Sequence, residues 1–113
     1  MREIKFRCYS EQDKIMYRPL VLEVIAQLGH NFSDNIKLMQ YTGLKDKNGV
    51  EIYEGDIIKD GSRLWKIEIS PIYGIFFILT KGGHSRCYGD FGSYLADEFK
   101  VIGNIYENPE LLN

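Results

Sequence analysis

Between residues 36 and 79 the chain repeatedly sets a short apolar run between residues that turn the backbone, and this spacing constrains the fold more than any other feature. Residues 36–44 and 50–53 flank Lys45-Asp46-Lys47-Asn48-Gly49, where Asn-Gly supplies the positive φ of a tight hairpin. Glu54-Gly55-Asp56 leads into Ile57-Ile58-Lys59, and Asp60-Gly61-Ser62 turns the chain again. Trp65, Ile67 and Ile69 alternate with Lys66 and Glu68, the period of a two-faced strand. Pro71-Ile72-Tyr73-Gly74 then reverses into Ile75-Phe76-Phe77-Ile78-Leu79, a continuous apolar run of the kind covered on both faces. Residues 80–94 hold Gly82, Gly83, Gly89 and Gly92 and read as a loop with one short strand. Residues 99–106 form the final strand, and Asn108-Pro109 predicts a helical turn with Asn108 as its N-cap.

The N-terminal part follows the same logic. Residues 2–9 alternate, with Ile4, Phe6 and Cys8 on an apolar face and Glu3, Lys5, Arg7 and Tyr9 on the opposite one. A polar turn at 10–14 lets Ile15, Met16 and Tyr17 pair back as a hairpin arm that Pro19, which has no N–H to donate, is expected to end. Residues 19–29 read equally as a short helix, with Leu20, Val24 and Leu28 spaced by four, or as a buried strand. The expected class is mainly β with minor α: a small curled sheet or barrel carrying an N-terminal hairpin, with room for one short helix. One domain spans 1–113, made of a hairpin and variable segment at 1–35 and a barrel-like part at 36–113.

A chain of 113 residues with 44% hydrophobic and 13% aromatic content has enough apolar surface for a core without disulfides. No apolar run approaches the length of a membrane span, and the charged N-terminus does not open a signal peptide. The expected location is therefore cytoplasmic, with Cys8 and Cys87 as free thiols acting as small apolar fillers. A formal net charge of −2 argues against a dedicated duplex-DNA binder, which usually carries a clear basic excess.

Chemistry-bearing motifs are sparse. Cys8, His30, His84 and Cys87 make a nominal zinc set, but only His84-x-x-Cys87 has ligand spacing. A calcium loop starting at Asp46 fails, because its fifth and sixth positions are Val50 and Glu51. His84 adjoins Ser85 and precedes Cys87 without a nucleophile motif, and Lys81-Gly82-Gly83 lacks the spacing of a phosphate loop. The reading is therefore of no enzyme, no cofactor and no metal. The candidate binding surface is Lys81, Arg86, Tyr88, Phe91 and Tyr94, a mixture of cations and aromatics that stacks single-stranded bases in some proteins and closes barrel ends or oligomer interfaces in others. Lys5, Arg7 and Lys14 are expected to extend a positive face.

Three stretches carry a family resemblance: Met-Arg-Glu-Ile-Lys-Phe-Arg (1–7), the segment from Leu38 to Ile58, and Val-Ile-Gly-Asn-Ile-Tyr-Glu-Asn-Pro-Glu-Leu-Leu (101–112). In this order they resemble the YopX proteins of phages and prophages. The resemblance implies a β-rich fold with an SH3-like barrel component and self-association, in the cytoplasm of a bacterial host. It brings no catalytic residues and no mechanism. The expected function is that of a noncatalytic phage accessory protein working through contacts with its own copies or with a phage or host protein, the alternative being a weak single-stranded nucleic-acid binder.

Overall fold

A computed structural model of the protein describes residues 5–20, 36–70, 74–82, 85–87 and 98–112, the side chains of 18–20, 86 and 87 excepted. Nine strands are seen: β1 Phe6–Ser10, β2 Ile15–Leu20, β3 Ile36–Lys45, β4 Glu51–Tyr53, β5 Asp56–Asp60, β6 Arg63–Ser70, β7 Gly74–Leu79, β8 Ser85–Cys87 and β9 Lys100–Asn104. A 3-10 helix, Pro109–Leu112, follows them. The strands form two antiparallel sheets, ordered β2-β1-β3-β4 and β8-β7-β6-β5-β9, and curl into a half-barrel. The mainly β expectation therefore holds. No helix among the described residues is long and apolar enough to cross a membrane.

The core lies between the sheets. Ile52 of β4 meets Ile58, Trp65, Ile67, Phe77 and Phe99, each at most 1% exposed. Phe77 and Phe99 pack edge to face with ring centroids 5.7 Å apart, the arrangement favoured by the aromatic quadrupole. The run at 75–79 departs from expectation. Phe77 alone is fully buried and its neighbours are half-buried, because β7 lies near the β8 edge of its sheet.

The connection from β4 to β5 joins the two sheets, and its backbone is bonded to both. Glu54 N–H donates to the Gln40 carbonyl (2.9 Å), Gly55 N–H donates to Ile67 (2.8 Å), and the Gly55 carbonyl accepts from Ile105 N–H (2.9 Å). Glycine suits this position doubly: φ is +87°, and a Cβ would stand 3.1 Å from the Met39 sulfur. Gly49 of the predicted Asn-Gly hairpin likewise has φ of +80°.

Two local expectations are corrected. Strand β2 does not end at Pro19; it continues to Leu20, as an edge strand with a register shift that leaves Arg18 and Pro19 opposite Arg7 alone. Proline is tolerated there because a bulge on a sheet edge does not require its missing N–H. The helical alternative for 19–29 thus loses its first two residues to strand, and the remainder lies outside the described residues. Asn108 does precede the 3-10 helix, but its side chain faces backwards: Oδ1 accepts from Asn104 N–H at 3.2 Å. Asn104 Oδ1 in turn accepts from Tyr106 (3.1 Å) and Glu107 (2.8 Å) N–H, so two asparagines close this reversal.

Candidate functional site

Strand β1 is buried on both faces: Cys8 is buried as expected, at 6% exposure, but so is the face expected to be polar. Arg7 and Tyr9, expected to face solvent, point between the sheets and are 2% and 7% exposed. Arg7 Nη2 meets Asp56 Oδ1 at 2.6 Å, and the guanidinium lies over the Tyr53 ring, 4.8 Å from its centroid. The other Asp56 oxygen accepts from Tyr53 N–H at 2.8 Å. A carboxylate from the second sheet is what makes an arginine tolerable inside the first, since a buried charge survives only when paired and hydrogen-bonded. Lys5 is likewise engaged, forming an ion pair with Glu51 and lying over Tyr41. The positive face expected from Lys5, Arg7 and Lys14 therefore does not form, and of the three only Lys14 stands exposed, in the β1–β2 turn.

Asp46, rejected as the start of a calcium loop, holds the β3–β4 hairpin. Its Oδ1 accepts from Asn48 (2.8 Å) and Val50 (2.9 Å) N–H, and its Oδ2 accepts from Val101 N–H of β9 (2.8 Å). One carboxylate at 4% exposure thus closes a turn and ties it to the second sheet. Thr42 performs a similar service at the irregularity in β3: its hydroxyl donates to the Ile52 carbonyl (2.6 Å) and accepts from Leu44 N–H (3.1 Å). Within the specific central segment Asp46 and Thr42 are therefore architectural.

Glu54, half-buried, lines a cleft of about 210 Å³ with Leu38, Met39 and residues 66–69. Burial pushes its carboxyl above the usual range and nearby Glu68 adds to this, while N–H groups of Gln40 and Ile69 pull the other way. Burial also raises the Cys8 thiol, which disfavours thiolate chemistry. Tyr106 is raised by burial as well and stacks on Tyr9, centroids 5.4 Å apart.

Of the predicted binding surface, Lys81 is exposed in the β7–β8 turn, and Arg86 takes its place in β8 opposite Phe77. Tyr88, Phe91 and Tyr94 lie outside the described residues, as do His30 and His84. Lys81 shares a recess of about 360 Å³ with Arg63 and the Glu110–Leu111 turn. Arg63 is committed there to an ion pair with Asp60 and lies over Trp65, 5.4 Å from the ring centroid. Cys8 and Cys87 belong to different sheets, and among the described residues no three His, Cys, Asp or Glu side chains converge as metal ligands do.

These features define a small protein of two curled antiparallel sheets clamped by buried charge. The chain belongs to the YopX family, whose model, described as YopX protein, matches residues 10–113. Among solved structures it is similar to protein EF1440 from Enterococcus faecalis, with 26% identity, a TM-score of 0.68 and full coverage of both chains. No curated protein matches it.

Proposed function

We propose that this is a noncatalytic phage or prophage accessory protein of the bacterial cytoplasm that acts through protein contacts, first of all with a second copy of itself. The observation that carries this reading is the outer face of the first sheet. Cross-strand register sets Tyr17, Cys8 and Leu38 in one row and Ile15, Ser10 and Ile36 in the next on the same face, with Phe6 and Gln40 continuing it. None of these eight residues is charged; Ile15, Tyr17 and Leu38 are 47%, 44% and 42% exposed and form the accessible part of the face, Phe6, Ile36 and Gln40 are half-buried, and Cys8 and Ser10 are buried.

An uncharged face suits a two-fold contact, in which every residue meets its own neighbourhood and any excess charge would meet its like. Three strands of about five residues present roughly 250 Å² in plan, at about 4.8 Å between strands and 3.4 Å per residue. That is well below the roughly 800 Å² per partner of a standard stable interface, so the association is concentration-dependent. Sedimentation equilibrium over a wide concentration range should show a reversible dimer in the wild type and a monomer for Leu38→Glu. A wild type that remains monomeric throughout, or a Leu38→Glu variant that dimerises equally well, overturns the proposal.

A further inference from the structure

Five described cations, Lys5, Arg7, Lys37, Arg63 and Lys66, each have a carboxylate partner. Three others without one gather at a single place. Lys59 of β5 and Lys100 of β9 are direct cross-strand partners. Lys47 is carried beside them by the β3–β4 hairpin, because its N–H donates to the Phe99 carbonyl at 3.0 Å while the Asp46 carboxylate holds Val101 N–H. With Gly61, Glu98 and Ile102 the three lysines line a recess of about 330 Å³. All three are exposed, and among the described residues none forms an ion pair, with Glu98 or with any other acid.

Like charges directly opposed across two strands destabilise a sheet. Here a third lysine, from another sheet, faces the same space, so the arrangement is unfavourable until an anion enters it. We propose that this recess binds phosphate groups, presented by a nucleic-acid backbone or by a free polyphosphate. Its chemistry selects phosphate over base. The lining has no aromatic ring on which a base would stack and only Ile102 as an apolar contact, whereas three ammonium groups against one carboxylate supply the charge that phosphates require. Binding is therefore independent of sequence and weakens steeply with salt. The site is separate from Lys81 and Arg86 and does not depend on self-association.

The test uses the full chain, a fluorescein-labelled single-stranded oligonucleotide and tripolyphosphate as competitor, read by anisotropy across a salt series. Lys59→Ala/Lys100→Ala should bind the oligonucleotide at least tenfold more weakly at low salt. Its slope of log K against log salt should fall by about 1.4, two contacts at about 0.7 each for a single strand. Lys14→Ala, at the far turn, should bind as the wild type does. Lys100→Glu keeps the test independent of folding: it should resist urea at least as well as the wild type, since it replaces a repulsive pair with an attractive one, and should lose binding. A tripolyphosphate inhibition constant below the oligonucleotide's own Kd at the same salt identifies a free polyphosphate as ligand; one above it identifies the strand backbone. The proposal is overturned if neither probe binds at low salt, if Lys59→Ala/Lys100→Ala binds undiminished, if binding is lost in Lys81→Ala instead, or if Lys100→Glu destabilises the fold.

Discussion

The Arg7–Asp56 pair gives the most demanding test of the fold. Asp56→Ala leaves a guanidinium of 2% exposure without its 2.6 Å partner, and stranding one member of a buried ion pair costs about 3–5 kcal/mol. The change also removes the acceptor of Tyr53 N–H, a loss of about 1–3 kcal/mol that overlaps the first because the same carboxylate serves both. A total near 4 kcal/mol is a large part of the roughly 5–15 kcal/mol that holds a domain of this kind together. The assay is urea unfolding followed by fluorescence of Trp65, the single tryptophan, which is 1% exposed. At a slope of about 2 kcal/mol per molar the midpoint should fall by about 2 M. Arg7→Met in the Asp56→Ala background should recover at least about 2 kcal/mol, because removing both charges ends the desolvation penalty. Arg7 Nε already lacks an acceptor among the described residues, which makes the arginine easier to replace. An Asp56→Ala variant within about 1 kcal/mol of the wild type, or a double variant no more stable than the single one, would refute the assignment of this pair as the clamp between the sheets.

Asp46→Ala strips acceptors from the N–H groups of Asn48, Val50 and Val101 and should cost about 2–4 kcal/mol in the same assay, at about 1 kcal/mol or more for each bond lost; a smaller cost for Asp46→Asn would show that one oxygen carries most of the effect. Gly55→Ala combines a φ of +87° with a Cβ 3.1 Å from the Met39 sulfur, and should lose about 1–3 kcal/mol; full stability by thermal melting would contradict it. Glu54 has a folded-state pKa raised chiefly by burial, so its stabilising contribution is complete below the unfolded value and is lost as pH rises through the folded one. Melts of Glu54→Gln against wild type should therefore show a difference that moves in the variant's favour as pH rises from acid to neutral, and a difference that is flat or moves the other way would sink this account. Cys8, buried and with a raised thiol pKa, should react with a disulfide reagent far more slowly in the native state than in urea; equal rates would contradict its burial.

How legible the molecule was in its sequence differs between strands and polar residues. Strands β3 to β6 could be read because Asn48-Gly49, Gly55-Asp56 and Asp60-Gly61 punctuate apolar runs, and turn chemistry is local. Arg7 could not. Alternation ranks neighbours by hydrophobicity and sends a charge outward, whereas its partner Asp56 stands 49 residues away and becomes a neighbour only when the sheets pack. Asp46 lay between these cases. An aspartate two residues before Asn-Gly is a recognisable side-chain turn, but its bond to Val101 spans 55 residues. The bulge at Pro19 was misread because an edge position is a property of the sheet order and has no local signature.

The same distinction separates scaffold from surface. Asp46, Gly55 and Asp56 all fall within residues 38–58, a segment distinctive enough to carry a family resemblance, and each binds backbone or charge across the two sheets. The carboxylates of Asp46 and Asp56 are consumed in this way and have little left with which to meet a ligand. Of the residues on the two proposed surfaces, Lys59 and Lys100 stand one residue outside the recognisable segments 38–58 and 101–112 and Ile15 and Tyr17 lie well outside them, whereas Lys47 and Leu38 lie within 38–58. The buried charges lock β1 against β5 and the β3–β4 hairpin against β9, and what is then presented outward is a trio of lysines drawn from both sheets and an uncharged patch on the first. Changes at these two surfaces should therefore alter binding while leaving the urea midpoint nearly unmoved, whereas changes at Asp46 or Asp56 should do the reverse through loss of the fold.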